Sequence, residues 1–534
     1  MSFPNPDNYA RDCDCGTAGA NTTPPPAQFI TEIEYRLLRP APATSAALEN
    51  VAAGSGALAS NTTGANNSAF GVTALASNTA GAYNTAAGYN ALASNTTGAN
   101  NSAFGVTALA SNTTGNNNTA SGYQALYSNT TGNSNTATGL SALFANTTGA
   151  NNTATGTSAL AANTTGGSNT ASGYQALKDN TTGFNNVASG FDALRVNTTG
   201  DSNTALGSES LTSNTTGFNN TAVGRQALRF NTTGVSNVAI GFSALATNTA
   251  DANVAVGVSA LNANTTGINN SAFGTSSLYV NTTGGSNTAT GFRALYSNTT
   301  ASNNTATGFS ALLSNTTGAN NTATGTSALA ANTTGASNTA SGYQALLANT
   351  TGGNNTAHGV NALSSNSTGS NNTATGVSAL GANTTGASNT ATGASALLLT
   401  TTGASNTAHG VSALQTNTTG NNNTASGASA LFANTTGASN VALGYQAGDA
   451  ITTGSNNICI GSGADVDAGT RANSIAIGSG AVATVDGQIA FASTLATKTT
   501  IGANGGATAL TALPVGYIRI RIGTTNYQIP YYNE

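Results

Sequence analysis

A 17-residue repeat constrains this chain more than any other feature of its sequence. The tetrad Asn-Thr-Thr-Gly, or a near variant, recurs every 17 residues from Asn61 to Ile451, with one residue lost between Asn248 and Asn264. About 24 copies follow the consensus N-T-T-G-x-N-N-T-A-x-G-x-x-A-L-x-x. Such self-similarity at a fixed, short period indicates a solenoid, in which each unit contacts only its neighbours along the chain.

The repeat unit also indicates what each coil looks like. Counted from the Asn of the tetrad, positions 7, 11 and 15 hold Asn, Gly and Leu almost without exception, as in Asn67, Gly71 and Leu75. Gly at positions 4 and 11 suits tight corners, and stacked Asn side chains can form ladders. The segments N-T-A-x-G and x-x-A-L are too short for helices and predict two strands per coil.

We therefore predict an all-β fold, a parallel β-solenoid (β-roll) of about 24 coils of 17 residues. At the usual strand spacing of about 4.8 Å, 24 coils make a rod of roughly 115 Å. Each coil offers only one Leu and two Ala to the interior, a small gain against an ordering cost of about 1.5 kcal/mol per residue. Burial against other copies would add to that gain, so we expect an intertwined or side-by-side homotrimer.

Composition and charge exclude several classes of function. Charged residues make up 5% of the chain, with 12 basic and 16 acidic side chains and a net charge of -4. Because Lys and Arg are not clustered in the sequence, nucleic-acid binding is not expected. No nucleophile, base and orienting group recur together, so we expect neither an enzyme nor a cofactor. The histidines, His358 and His409, share position 10 but lie three coils apart, too far for a common metal ion.

The amino-terminal region, 1–49, differs from the repeats. It starts MSFPNPDNYA without the basic and apolar regions of a signal peptide, and nowhere in the chain do 18 apolar residues run together, so we expect cytoplasmic synthesis and no membrane insertion. A Pro-rich hinge precedes an alternating segment that predicts an attachment strand or, alternatively, a cap on the first coil. The apolar and aromatic residues of that segment are Phe29, Ile30, Ile33 and Tyr35.

Three cysteines and a row of aromatic residues are further candidates for function. Cys13 and Cys15 are too close to bridge each other easily; copies in a parallel trimer could form an inter-chain disulfide or anchor the chain, or both thiols could be unreactive. Cys459 is interpreted as a small core residue. Aromatic side chains at position 12 could stack on sugar rings or pack between coils or chains. They are Tyr89, Tyr123, Tyr174, Phe191, Phe242, Phe292, Phe309, Tyr343 and Tyr445.

The carboxyl-terminal part carries two resemblances. From Asn456 the period is expected to shorten, and N-S-I-A-I-G-S-G-A (473–481) resembles the head repeats of trimeric autotransporter adhesins, which implies a trimeric left-handed parallel β-roll over 50–493. We recognise no signal, stalk or membrane anchor of that family in the sequence, so we do not expect an autotransporter. The ending, with strands predicted at 517–522 and 527–532, is similar to the I-P-Y-Y ending of many tailed-bacteriophage fibre proteins. Its candidate tip contacts are Tyr517, Arg519, Arg521, Tyr527, Tyr531 and Tyr532.

These expectations divide the chain into an attachment segment (1–49), a shaft (50–455), adhesin-head-like repeats (456–493) and a hairpin tip or cap (494–534). The second resemblance implies a phage tail or head fibre on the virion surface. Its amino terminus would bind a baseplate, neck or capsid protein, and the fibre would act as a stiff spacer that contacts a host-surface glycan or protein. The alternative is a bacterial surface adhesin or a self-assembling extracellular filament, in which the 29–36 strand completes a neighbouring subunit.

Overall fold

The computed structural model describes residues 49–492, 516–522 and 525–531. Regular structure in these ranges consists of strands and turns, and they contain no helix, hence none long and apolar enough to cross a membrane. The strands are β1 (Val51–Ala53), β2 (Ser68–Phe70), β3 (Thr85–Ala87), β4 (Ser102–Phe104), β5 (Thr119–Ser121), β6 (Thr136–Thr138), β7 (Thr153–Thr155), β8 (Thr170–Ser172), β9 (Val187–Ser189), β10 (Thr204–Leu206), β11 (Thr221–Val223), β12 (Val238–Ile240), β13 (Val254–Val256), β14 (Ser271–Phe273), β15 (Thr288–Thr290), β16 (Thr305–Thr307), β17 (Thr322–Thr324), β18 (Thr339–Ser341), β19 (Thr356–His358), β20 (Thr373–Thr375), β21 (Thr390–Thr392), β22 (Thr407–His409), β23 (Thr424–Ser426), β24 (Val441–Leu443), β25 (Ile458–Ile460), β26 (Asp465–Val466), β27 (Ile475–Ile477), β28 (Val482–Ala483), β29 (Ile489–Phe491), β30 (Gly516–Ile522) and β31 (Thr525–Tyr531).

One parallel sheet runs the length of the repeats and confirms the predicted β-solenoid. It has 27 strands, β1 to β25, β27 and β29, each paired with the strand of the next coil. The pairing step is 17 residues except where Val238 pairs with Val254 and Ile475 with Ile489. The predicted shortening from Asn456 is wrong at its start, because Ile458 still pairs with Ile475, 17 residues on. At about 4.8 Å per step, 27 strands span roughly 125 Å.

The prediction of a second strand in every coil is wrong. The x-x-A-L segment forms a run of turns in which positions 13 and 15 have left-handed backbones, as in Thr73 (φ 57°) and Leu75 (φ 51°). The Thr73 N–H bonds to Ser55 of the preceding coil, whereas the Leu75 N–H bonds to Ala91 of the following coil. Residues two apart in an extended strand bond to the same neighbour, so this reversal requires a curled backbone.

The leucine at position 15 has a strained, left-handed backbone in coil after coil. Every position-15 Leu from Leu58 to Leu431 has φ near +50°, a conformation that costs an L-residue about 1–2 kcal/mol. Burial of each Leu side chain contributes about 1.5–3 kcal/mol and offsets that strain. In the last coils Asp465 and Val482 replace Leu at this position, and there a short second strand does form, as β26 and β28.

The two repeated glycines serve different purposes. At position 11, Gly325 has φ +131°, and a Cβ there would lie 2.5 Å from the carbonyl oxygen of Gly342. At position 4 the backbone is not left-handed, so the predicted need for corner freedom is wrong there. Gly183 is favoured because a Cβ would come within 2.5 Å of both the Asn180 Oδ1 and the Gly200 carbonyl oxygen unless the corner shifted. Close packing of successive corners therefore selects glycine at position 4.

The core of each coil contains both apolar side chains and the amide side chains of Asn. The Ala at positions 9 and 14 and the Leu at position 15 are fully buried, as predicted, and so are the Asn at positions 1 and 7. At position 1, the Asn95 Nδ2 donates to the Asn78 Oδ1 (2.8 Å) and to the Gly98 carbonyl (2.9 Å). At position 7, the Asn101 backbone N–H donates to the Asn84 Oδ1 at 3.0 Å. The predicted Asn ladder is confirmed, and there are two of them.

The position-1 ladder is interrupted at three places, each with a cause in the sequence. The side-chain oxygens of Asn231, Asn383 and Asn434 are buried without a donor. After Asn231 comes the coil that lacks one residue, and there the Asn248 Nδ2 turns to the Ala250 carbonyl (2.7 Å). The other two are followed by coils that start with Thr400 and Ile451 instead of Asn. These breaks are local weak points in an otherwise continuous ladder.

The carboxyl-terminal hairpin is antiparallel and separate from the parallel sheet. Strands β30 and β31 pair through seven residues each, with Ile520 opposite Tyr527. The predicted strands are confirmed, although the second begins at Thr525, two residues earlier than expected. Thr525 and Asn526 of the predicted G-T-T-N turn therefore belong to β31, where they pair with Ile522 and Arg521.

Candidate functional surfaces

Positions 12, 13 and 16 of successive coils form one exposed surface, which we call the turn face. The Arg293 guanidinium (position 13) lies 5.1 Å from the ring centroid of Phe292 (position 12) and 5.5 Å from that of Tyr296 (position 16). The Arg229 Nη2 (position 16) lies 3.1 Å from the Glu209 Oε2 (position 13) of the preceding coil. Side chains from these three positions therefore contact one another within and between coils.

The turn face collects the basic residues of the repeats. Within 49–455 the chain has five Lys and Arg residues, and all five occupy this face: Lys178, Arg195, Arg225, Arg229 and Arg293. Two carboxylates, Asp192 and Glu209, lie among them, and each approaches one arginine, Asp192 at 3.8 Å from Arg195. Lys178, Arg225 and Arg293 have no salt bridge within the described residues. The face is therefore locally basic on a chain with a net charge of -4.

Aromatic residues line the same face in two rows. The predicted row at position 12 is exposed, and neighbouring rings in it stack, Tyr174 on Phe191 at 5.4 Å and Phe292 on Phe309 at 5.3 Å. Sequence reasoning missed a second row at position 16, in which Tyr127 stacks on Phe144 and Tyr279 on Tyr296, both at 5.3 Å. The sequence signal for this second row is a set of aromatic residues with the same 17-residue period, four positions after the first row. Packing between coils is thus confirmed for these pairs.

Ring stacking determines what the aromatic rows present to a ligand. Interplanar angles of 7–18° show that the stacked rings lie nearly parallel. In each pair one face of each ring therefore covers the other ring, so a ligand has access mainly to the ring edges and to the outer faces of the pair. A ligand that runs along the turn face therefore meets ring edges and guanidinium groups.

A second surface, the strand face, consists of positions 8 and 10 of the parallel sheet. Across all 27 strands it carries no Asp, Glu, Lys or Arg. His358 and His409 lie on it, both exposed and three coils apart as predicted. The described residues hold no cluster of three or more His, Cys, Asp or Glu that could bind a metal ion. Large apolar side chains exposed on this face are Val51, Phe70, Phe104, Val187, Leu206, Ile240, Phe273, Leu443, Ile460, Ile477, Ile489 and Phe491.

A buried carboxylate lies near the end of the solenoid at a position that the repeat gives to leucine. Asp465 accepts backbone hydrogen bonds from Ala450 (3.0 Å) and Val466 (2.8 Å). Burial, and next a hydrogen bond with Asp449, raises the pKa of Asp465 to about 7. Cys459 is buried as predicted, and burial followed by the charge of Asp465 raises the pKa of its thiol to about 12. That thiol stays protonated and is a poor nucleophile.

Most of the predicted site residues lie at the two ends of the chain. Tyr517, Arg519 and Arg521 on β30 pair with Pro530, Gln528 and Asn526, whereas Tyr527 and Tyr531 on β31 pair with Ile520 and Gly516. Cross-strand pairs alternate along the hairpin between two sets. Tyr517, Arg519 and Arg521 belong to one set, and Tyr527 and Tyr531 belong to the other. The remaining candidates lie outside the described residues: Cys13, Cys15, Phe29, Ile30, Ile33, Tyr35 and Tyr532.

Comparisons of this chain with protein-family models, with curated proteins and with solved structures give no significant match. The assignment of function therefore relies on the geometry of the solenoid and on the chemistry of its two faces.

Proposed function

We propose that this chain forms the shaft of a homotrimeric virion fibre, on a phage tail or head, that acts as a stiff spacer and carries host attachment. The observation that carries the proposal is the unbroken parallel stack of 27 strands, one per coil. A single coil cannot bury its core alone, and a long stack of them serves reach and rigidity better than it serves a compact active site. The alternative, a bacterial surface adhesin or extracellular filament, uses the same rod.

Stiffness follows from the bonds that join each coil to the next. Besides the strand pairing, the Asn ladders at positions 1 and 7 and the position-2 Thr side chains, as in Thr96 to the Thr113 carbonyl (3.1 Å), cross every regular interface. Bending the rod would stretch these bonds on its outer side. Because most of them are shielded from water, their loss is not easily compensated.

The strand face is the surface we assign to contact between the three chains. It is exposed, free of charged side chains over its whole length, and carries large apolar residues near both ends, such as Phe70 and Ile477. In a parallel trimer each residue lies near its own copies, so a face without charge avoids repulsion between like side chains. The turn face, with its five basic residues, is less suited to this contact.

The proposed fibre has a direction, with its amino-terminal end on the virion and its carboxyl-terminal end towards the host. The segment 1–49 would bind a baseplate, neck or capsid protein, and the hairpin in 494–534 would lie at the far end, towards a glycan or protein of the host surface. Its strands β30 and β31 carry five of the six candidate tip residues, and Tyr532 lies outside the described residues.

Immunogold electron microscopy tests the location directly. Antibodies raised against the repeats should label fibres on purified virions, and particles from a strain that lacks this gene should lose both label and fibre. Label confined to bacterial surfaces or free filaments, with unlabelled virions, would reject the virion assignment in favour of the adhesin.

A matched cysteine pair tests the trimer and its contact surface. Thr307 lies on the strand face and Thr326 on the turn face, and both are exposed. Oxidation of Thr307→Cys should link chains covalently, and oxidation of Thr326→Cys should not. Sedimentation equilibrium should give three times the chain mass; a monomer, or linkage through position 326 alone, would refute the arrangement.

A further inference from the structure

We infer that the turn face between Tyr174 and Phe309 is a binding surface for an acidic polysaccharide, a linear glycan with carboxylate groups that runs along the rod. The inference rests on the proposed attachment function and adds to it a ligand class and a place on the shaft, away from the hairpin tip. It depends on three observations: the segregation of charge, the axial arrangement of the basic side chains, and the aromatic residues that flank them.

The segregation of charge is the first observation. Lys and Arg could occupy any outward position of the coil, yet the five in the repeats lie at positions 12, 13 and 16. Two carboxylates, Asp192 and Glu209, share the turn face and Asp179 adjoins it at position 17, so the five cations outnumber the acidic residues there. Asp201 and Asp251 lie at another corner, where their carboxylates accept backbone N–H bonds from Phe184 and Val235 (both 2.9 Å). Solubility alone would not confine cations to one face. A basic stripe on an acidic chain attracts an anionic ligand.

The axial arrangement of these cations suits a sparse linear polyanion. At about 4.8 Å per coil, the stripe from Lys178 to Arg293 spans about seven coils or roughly 33 Å. The three cations without a salt bridge, Lys178, Arg225 and Arg293, are spread over that length. Duplex DNA presents one phosphate per about 1.7 Å, far denser than this stripe can neutralise. A polysaccharide with intermittent carboxylates matches the spacing better.

Aromatic residues flank the stripe and hold its cations in place. The Arg293 guanidinium lies over Phe292 and Tyr296, and the Arg225 guanidinium lies 5.9 Å from the Phe242 ring. These contacts reduce the motion of the guanidinium groups, whose planar N–H donors match a carboxylate. Single-stranded nucleic acid would need open ring faces for its bases, and in each stacked pair one face of each ring is covered by the other ring. Carboxylate recognition, with ring edges against sugar C–H groups, fits the surface.

Binding of polygalacturonate, a linear polyuronate, to the purified full-length chain tests the inference, with its methyl ester as the uncharged control. Polygalacturonate should bind and the methyl ester should not. The triple variant Lys178→Gln, Arg225→Gln, Arg293→Gln should lower the affinity about tenfold, since three exposed charge contacts are lost. The variant Arg225→Lys, Arg293→Lys should retain most of the charge-dependent binding.

The double variant Asp201→Asn, Asp251→Asn is the matched control for net charge. In another coil the Asn116 Oδ1 accepts the Ala99 N–H at 2.7 Å, the kind of hydrogen bond that Asp201 and Asp251 accept. The fold should therefore tolerate both changes. They raise the net charge by two at another corner and should leave the affinity unchanged. Tighter binding of this variant, equal binding of the methyl ester, or unchanged binding of the triple variant would overturn the inference.

Duplex DNA as competitor separates a polysaccharide site from a nucleic-acid site. The inference expects weak competition, and displacement of polygalacturonate at equal charge concentration would overturn it. The assay uses purified chain, so its outcome is independent of where the fibre resides. If virions carry the gold label but the chain does not bind polygalacturonate, only the turn-face ligand is rejected. If the chain binds polygalacturonate but virions carry no label, only the virion location is rejected.

Discussion

Thr400 interrupts the position-1 Asn ladder, and replacing it with Asn should stabilise the rod. In the native chain the Asn383 Oδ1 and the Thr400 Oγ1 are both buried without a hydrogen-bond partner. The next Asn of the row, Asn417, donates to the Gly420 carbonyl (3.0 Å) but has no Asn in the preceding coil to donate to. An Asn at position 400 would supply bonds to Asn383, to the Gly403 carbonyl and from Asn417.

The magnitude follows from these three bonds. A buried hydrogen bond contributes about 0.5–1.5 kcal/mol net. Ordering the longer Asn side chain removes part of the gain, so we expect the free energy of local opening to rise by about 1–3 kcal/mol. Because solenoid stability is a sum over neighbouring coils, the change should stay near the substituted coil.

Hydrogen exchange measured by mass spectrometry reports this local free energy. Amides in 397–420 should exchange roughly 5- to 150-fold more slowly in Thr400→Asn, and those of coils far away should not change. The control is Thr402→Asn, the same substitution at an exposed residue two positions on. Unchanged exchange in Thr400→Asn, or equal slowing in both variants, would show that the Asn ladder does not stabilise the coils.

Three further predictions concern single positions. Gly325→Ala should lower the local stability measured by hydrogen exchange by about 2–4 kcal/mol. Gly318→Ala, at position 4, should lower it less. Ala301 already occupies position 4 of another coil, where the hydrogen bond from the Thr300 N–H to the Thr316 carbonyl is long, at 3.5 Å. Because the pKa of Asp465 is raised from 3.8 to about 7, the folded carboxyl keeps a proton that the unfolded one has lost. Exchange protection of the last coils should therefore fall as pH rises from about 4 to 7, and Asp465→Asn should abolish that dependence. Cys459 should react with a thiol reagent only in denaturant, and reaction at the native rate of an exposed thiol would contradict its burial.

The sequence predicts the stack of coils well because periodicity reports geometry directly. Leu75 and Ala74 recur in nearly every coil and are buried as expected, and Asn67 recurs in nearly every coil as a member of the expected ladder. The second strand was mispredicted because local pattern alone cannot show that Thr73 bonds to the coil before and Leu75 to the coil after. That alternation becomes visible only when both neighbouring coils are in place.

The candidate surfaces were harder to predict for a related reason. The aromatic row at position 12 is visible in the sequence, but its neighbours at positions 13 and 16 meet it only after the turns have curled the backbone. Arg293, which contacts Phe292 and Tyr296 together, shows this convergence. Asp465 could not be recognised as buried because the period was expected to shorten from Asn456, whereas the 17-residue step continues and places Asp465 at the leucine position.

A deletion of whole coils tests the central claim, that each 17-residue unit adds one step to a continuous rod. Removal of 264–399 takes out eight coils and joins two corners in register. Electron microscopy should then show the rod shortened by roughly 38 Å, from about 125 to about 87 Å, with its width unchanged. An unchanged length, or a shorter particle that is also wider, would contradict the solenoid and every inference drawn from its faces.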